Sequence, residues 1–214
     1  VISPGPLLLA AAFVGILHMS APDHWATLII LGRVSEWDRP HLLGVGLMTA
    51  VGHVALSILL GFAVVEVGRV FSQQISLYVT EGIGVAMVVG GLIYGTKELL
   101  SNSSEDYESE TREELSKGEG AFGRRFRYFA VLGAALSPDL SILPIFLLAV
   151  PIGLGFAIDT AIVFALASIG ALLAFLLIGS AGLVRAFERL PSKYNDALVG
   201  FVIAAAGFYV LVAR

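Results

Sequence analysis

Six apolar runs punctuate the chain, at roughly residues 7–31, 42–65, 79–94, 129–150, 156–177 and 197–212. Each is near the ~20 residues that a helix needs to cross a bilayer, and none shows the period-two alternation of an outer-membrane strand. The pattern predicts an all-α integral membrane protein with six transmembrane helices. The third run is the shortest and is expected to extend by a turn. The first is too long, and carries too many polar groups, for a cleavable signal sequence, and counts as a span. Between the third and fourth runs lies an acidic stretch with Glu105, Asp106, Glu108, Glu110, Glu113, Glu114 and Glu119 and few apolar residues, which reads as a solvated loop.

Basic residues sort by side. The loops after spans one, three and five hold Arg33, Arg39, Lys97, Arg112, Lys117, Arg124, Arg125, Arg127, Arg185, Arg189 and Lys193, eleven of the thirteen Lys and Arg, against Arg69 and Arg214 on the other side. The positive-inside rule then places those loops, including 101–128, in the cytoplasm and both termini outside the cell membrane.

Displacing the chain by 116 residues pairs Phe13 with Phe129, Pro22 with Pro138, Asp23 with Asp139, Arg69 with Arg185, Phe71 with Phe187, Tyr78 with Tyr194, Gly84 with Gly200 and Gly91 with Gly207. Aliphatic coincidences are common in such a composition, but Pro-Asp, Arg and Tyr are scarce, and all agree at one offset without a gap. The chain is therefore expected to consist of a first three-helix repeat at 1–100, the acidic cytoplasmic loop at 101–128 and a second three-helix repeat at 129–214. An odd number of spans per repeat inverts the second relative to the first, the plan of many secondary transporters, whose sites form near the midplane at broken helices.

The composition, 57% hydrophobic and 14% charged with no cysteine, removes thiol chemistry, disulfides and thiolate metal ligands from consideration. It makes every ionisable residue inside a span conspicuous, because such groups cost several kcal/mol unless paired or facing a cavity. The stretch GILHMSAPDHWATLIILGR at 15–33 concentrates them: His18, Asp23 and His24 around Pro22, which is expected to open the helix and free carbonyls. Counting residues puts His18, His53 and Asp139 near mid-span, with Asp23 and His24 about 8–9 Å from His18. Pro138 is expected to break the second repeat as Pro22 breaks the first. Imidazoles with carboxylates suit divalent first-row metals, whereas calcium and magnesium take oxygen ligands. Among quieter features, Gly44, Gly46, Gly84, Gly90, Gly91, Gly95, Gly200 and Gly207 read as close helix contacts. Trp37 reads as an interface anchor, Trp25 as a shield for the site, and Asp159 as an acidic residue near a helix N-terminus.

His18, four residues, then Asp23-His24 resembles the H-x-x-x-x-D-H signature of the nickel/cobalt transporter family, including its short urease-accessory-like members. Gly52-His53-Val54 is similar to that family's Gly-His motif, and Leu136-Ser137-Pro138-Asp139-Leu140-Ser141 to its later Leu-Gly-x-Asp-Thr motif. The resemblance implies a secondary transporter of Ni²⁺ or Co²⁺, with His18, Asp23, His24 and His53 as metal-recognising residues and Asp139 supplying charge from the second repeat. Larger members of the family have eight spans, and many exporter-like relatives carry a histidine-rich loop; this chain has six runs and no histidine between residues 101 and 128.

Two other classes fit part of the pattern. Six spans in two inverted triplets also resemble the lysine-exporter-like superfamily, whose members would export a small organic or anionic solute. His18-x-x-x-x-Asp23 matches the His/Asp pair of membrane acyltransferases, but the chain has no loop large enough for their globular domain, and H-E-x-x-H is absent, so no enzyme activity is expected. The expected partners are membrane lipid and a divalent metal ion carried as cargo rather than as a prosthetic group. No nucleic acid is expected, and a homo-oligomer is left open.

Overall fold

The computed structural model describes residues 3–72, 79–101, 139–181 and 192–213, and every described element is helical. These are α1 (Pro4–Ser20), α2 (Pro22–Val34), α3 (Arg39–Ser72), α4 (Val79–Leu100), two short helices α5 (Leu143–Leu147) and α6 (Ala149–Ile152), α7 (Leu154–Ser180) and α8 (Ser192–Val212). Five stretches are long and apolar enough to cross a membrane, with α1 and α2 counting as one. The acidic loop from residue 102 onward, Pro138 and the 129–138 part of the fourth run lie outside the described residues. The third span runs past its expected end at residue 94 to Leu100.

The break at Pro22 is present, and local chemistry explains it. A residue before proline is driven out of the α region, and Ala21 is extended at ψ 135°. Pro22 then supplies the preset φ of a first helical position, so α2 restarts at once. The interruption frees carbonyls that a continuous helix would use. Trp25 Nε1–H donates to the Ser20 carbonyl at 3.0 Å, which seats the indole, fully buried and stacked on Phe175, against the break. Trp37 is half-buried, its ring 4.9 Å from that of His41, at the turn from α2 to α3. A second interruption precedes α7, where Gly153 at φ 123° takes a conformation open to glycine and resisted by L side chains.

In lipid, apolar burial gives helices little reason to associate, and close backbone packing takes over. The helix α1 lies along α7 and α3 crosses α7 and α5, with Leu7, Val14, Val54, Phe146 and Phe164 buried between them. Gly15 lets α1 approach α7: a Cβ there would meet the Phe164 carbonyl at 3.3 Å. The helices α4 and α8 pair antiparallel, Gly84 facing Gly207, Gly91 facing Gly200 and Gly95 facing Ala197. Gly44 and Gly90 correct the expectation of glycine contacts, because a Cβ at either would have no described residue within 4 Å. Gly90 borders a cavity instead. Leu9, Met48, Leu59, Val67, Ile93, Leu166 and Phe208 are exposed around the outside, as lipid-facing residues would be.

Candidate metal centre

Three imidazoles from three helices converge. His18 comes from the last turn of α1, His24 from the first turn of α2 and His53 from the middle of α3. The ring centroids are 4.5 Å apart for His18 and His24, 5.3 Å for His18 and His53, and 5.2 Å for His24 and His53. The break makes this possible: the turn at Ala21 and Pro22 carries His24 back beside His18, which lies six residues earlier. One ligand nitrogen from each ring lies within 4.8 Å of the others. A tetrahedral metal with bonds of ~2.0–2.1 Å holds its ligands about 3.4 Å apart, so each nitrogen need move by under ~1 Å.

Asp139 joins from the second half of the chain. Its Oδ1 lies 3.8 Å from His18 Nδ1, with the carboxylate side chain 1% exposed and the imidazole 22% exposed. The same oxygen accepts the Ser141 backbone N–H at 2.8 Å and the Ser141 hydroxyl. Asp139 Oδ2 and His18 Nε2 are buried and lack a hydrogen-bond partner among the described residues. A buried carboxylate oxygen without a donor carries a desolvation penalty that a bound cation would offset. Neutral imidazoles with one carboxylate form a donor set for a first-row divalent ion rather than for calcium or magnesium.

The structure thus brings His18, His24, His53 and Asp139 to one place. Asp23 is the second residue of α2, beside the cluster in sequence, and its side chain, like Pro138, lies outside the described residues. Asp159 is exposed on α7, remote in role from the cluster. The fourth histidine, His41, is exposed near the start of α3.

Two serines that sequence reasoning passed over hold the site. Ser57 is buried on α3, one turn after His53; its hydroxyl donates to the His53 carbonyl at 2.9 Å and accepts the Asp139 backbone N–H at 2.8 Å. Ser141 follows Asp139 by two residues, the spacing at which an Asp side chain commonly accepts from a following N–H. That spacing is visible in the chain, whereas the Ser57 contact spans 82 residues and has no local signal. Removing the Ser57 hydroxyl leaves a buried amide unsatisfied, worth about 1–3 kcal/mol. Ser57→Ala is expected to weaken metal binding about tenfold, at the lower end for loss of an outer partner. Calorimetric titration of the purified variant measures this.

Comparison with protein-family models, with curated proteins and with solved structures finds no match for this chain.

Proposed function

We propose that this protein is a secondary transporter of a divalent transition metal, Ni²⁺ or Co²⁺, whose recognition site is the His18, His24 and His53 cluster with Asp139 supplying negative charge. The observation that carries the reading is the convergence of three imidazoles inside apolar helices, where polar side chains are costly and mark a site by default. The choice of nickel and cobalt over zinc rests on the resemblance of His18-x-x-x-x-Asp23-His24 and Gly52-His53 to the nickel/cobalt transporter motifs, since imidazole alone accepts several first-row ions.

Inverted repeats belong to the same proposal, and the α4–α8 contacts support them. A Cβ on Gly91 would meet the Gly200 carbonyl and the Ala204 nitrogen; a Cβ on Gly207 would meet the Gly84 carbonyl and the Val88 nitrogen. Shifted by 116 residues, one set of neighbours becomes the other. A pseudo-two-fold axis in the membrane plane has this consequence. The distribution of Lys and Arg orients this arrangement with both termini outside and residues 101–128 in the cytoplasm. Accordingly, Ser3→Cys is expected to react with an impermeant maleimide in whole cells and Ser104→Cys is not. The opposite pattern would reverse the orientation.

Only neutral imidazole binds metal, so affinity is expected to fall as pH is lowered and protons compete for the ring nitrogens. The protons exchanged at the cluster offer a counter-flow for transport. The test is titration of Ni²⁺, Co²⁺, Zn²⁺ and Mn²⁺ into detergent-solubilised protein between pH 5.5 and 8, followed by Ni²⁺ and Co²⁺ uptake into proteoliposomes. Saturable binding that strengthens with pH, together with uptake, supports the proposal; absence of saturable binding at pH 8 overturns it.

A further inference from the structure

A cavity of about 650 Å³ opens between α4, α8 and the segment from Asp139 to Leu147, and both His18 and Asp139 line it. Along α4 its wall runs from Gly82 to Tyr94, about 18 Å at ~1.5 Å per residue. Gly82, Ala86 and Gly90 succeed one another at four-residue spacing on that wall, and a Cβ at Gly82 or Gly90 would have nothing within 4 Å. The missing side chains are what leave the space. Spread over that length, the volume leaves room for a divalent first-row ion with its waters at ~2.1 Å, about 7 Å across.

The charge of the lining decides what it suits. Among the described residues of its lining, the carboxylates are Asp139 and Asp196, and there is neither Lys nor Arg. Asp196 belongs to the first turns of α8, and the contact of Gly95 with Ala197 sets it at the Tyr94 end of the wall. Two carboxylates, set among lining residues whose other polar groups are His18, Tyr94 and Ser141, concentrate cations and repel anions. Asp139 and His18 both belong to this lining and to the cluster, and the imidazole is the more exposed of the two.

We propose that this cavity is the aqueous path by which a hydrated divalent cation reaches the three imidazoles, with Asp196 as a carboxylate waypoint along it. The inference rests on the metal reading for its cargo, but the path itself is tested without metal. Because the chain has no cysteine, single thiols can be introduced cleanly. Ala86→Cys and Gly90→Cys on the lining, and Val89→Cys and Ile93→Cys on exposed faces of α4 outside it, are treated in membranes with a charged methanethiosulfonate and, separately, with lipid-soluble N-phenylmaleimide. The lining thiols are expected to react with both reagents and the outer thiols only with the second. In proteoliposomes, Asp196→Asn is expected to slow Ni²⁺ uptake at low concentration about fivefold or more, while Ni²⁺ affinity of the purified protein stays within about twofold.

Lining thiols that react only with the lipid-soluble reagent would overturn the path, since the space would then belong to lipid. Unchanged uptake by Asp196→Asn would remove the waypoint. If the charged reagent reaches the lining thiols and yet Ni²⁺ does not bind, the metal reading falls and a water-filled path stands. If Ni²⁺ binds the imidazoles while the lining thiols ignore the charged reagent, the metal reading stands and the path falls.

Discussion

His24→Ala and His53→Ala are each expected to lower Ni²⁺ and Co²⁺ affinity by well over 100-fold and to abolish saturable uptake in proteoliposomes. Both imidazoles are buried in the cluster, and loss of a direct ligand should exceed the ~10–100-fold typical of losing an outer partner. His18→Ala should act as strongly, because its ring faces both other imidazoles and Asp139. Each truncation leaves a cavity where an imidazole was, and the apo variants should still fold and unfold cooperatively in detergent. They should lose the rise in melting temperature that metal gives the parent, which mass action makes about 2.7 kcal/mol at a hundredfold excess over Kd. That separation between lost binding and retained folding distinguishes a ligand from a packing residue. Neutralising Glu105, Asp106, Glu108, Glu110, Glu113 and Glu114 together should leave affinity within about threefold. Variants of all three histidines that carry Ni²⁺ as well as the parent, with uptake lost only on neutralising the loop, would move the site out of the membrane.

Much of this site was legible before any coordinates, for reasons particular to membranes. An apolar span offers few polar residues, so His18, His24, His53 and Asp139 stand out, and Pro22 announces a break through its missing N–H and its effect on Ala21. Residue counting along the spans brought His18, His53 and Asp139 to comparable depth but set His24 about 8–9 Å from His18, whereas the break at Pro22 brings the two rings to 4.5 Å. It had no means of giving azimuth. Whether His53 on α3 turns toward His18 or toward lipid depends on how α3 meets its neighbours, and α3 is apolar on nearly every side, with Leu47, Met48, Leu56 and Leu59 exposed. With no amphipathic stripe, periodicity cannot say which face is inside. The same blindness hid Ser57, whose partner lies in the other half of the chain, and Asp196, which no motif or spacing singles out. It also grouped Gly44 and Gly90 with the glycines that do make contacts, since a small residue reads alike whether it admits a helix or leaves a space.

Gly91→Ala and Gly44→Ala make the same chemical change in transmembrane helices and are expected to differ in sign. Alanine favours helix over glycine by about 1 kcal/mol, a gain available at both positions. At Gly44 no described residue lies within 4 Å of the added carbon, so the variant should be neutral or slightly more stable. At Gly91 the carbon would stand 2.5 Å from the Gly200 carbonyl oxygen and 2.6 Å from the Ala204 nitrogen. Both are backbone atoms of α8 and can retreat only if the helix does. Overpacking of this kind costs about 1–3 kcal/mol even where side chains can adjust, which outweighs the propensity gain. Separation of α4 from α8 would also forfeit contacts along the whole pair, including those at Gly84, Gly95 and Gly207. Gly91→Ala should therefore lower the denaturation temperature in detergent by several degrees, and Gly91→Leu should prevent accumulation of folded protein. Under the pseudo-two-fold relation, Gly207→Ala should match Gly91→Ala, because its clashes with the Gly84 carbonyl and the Val88 nitrogen occupy corresponding positions. Equal tolerance at Gly44, Gly91 and Gly207 in a thermal unfolding series would show that α4 and α8 are not held together at these glycines.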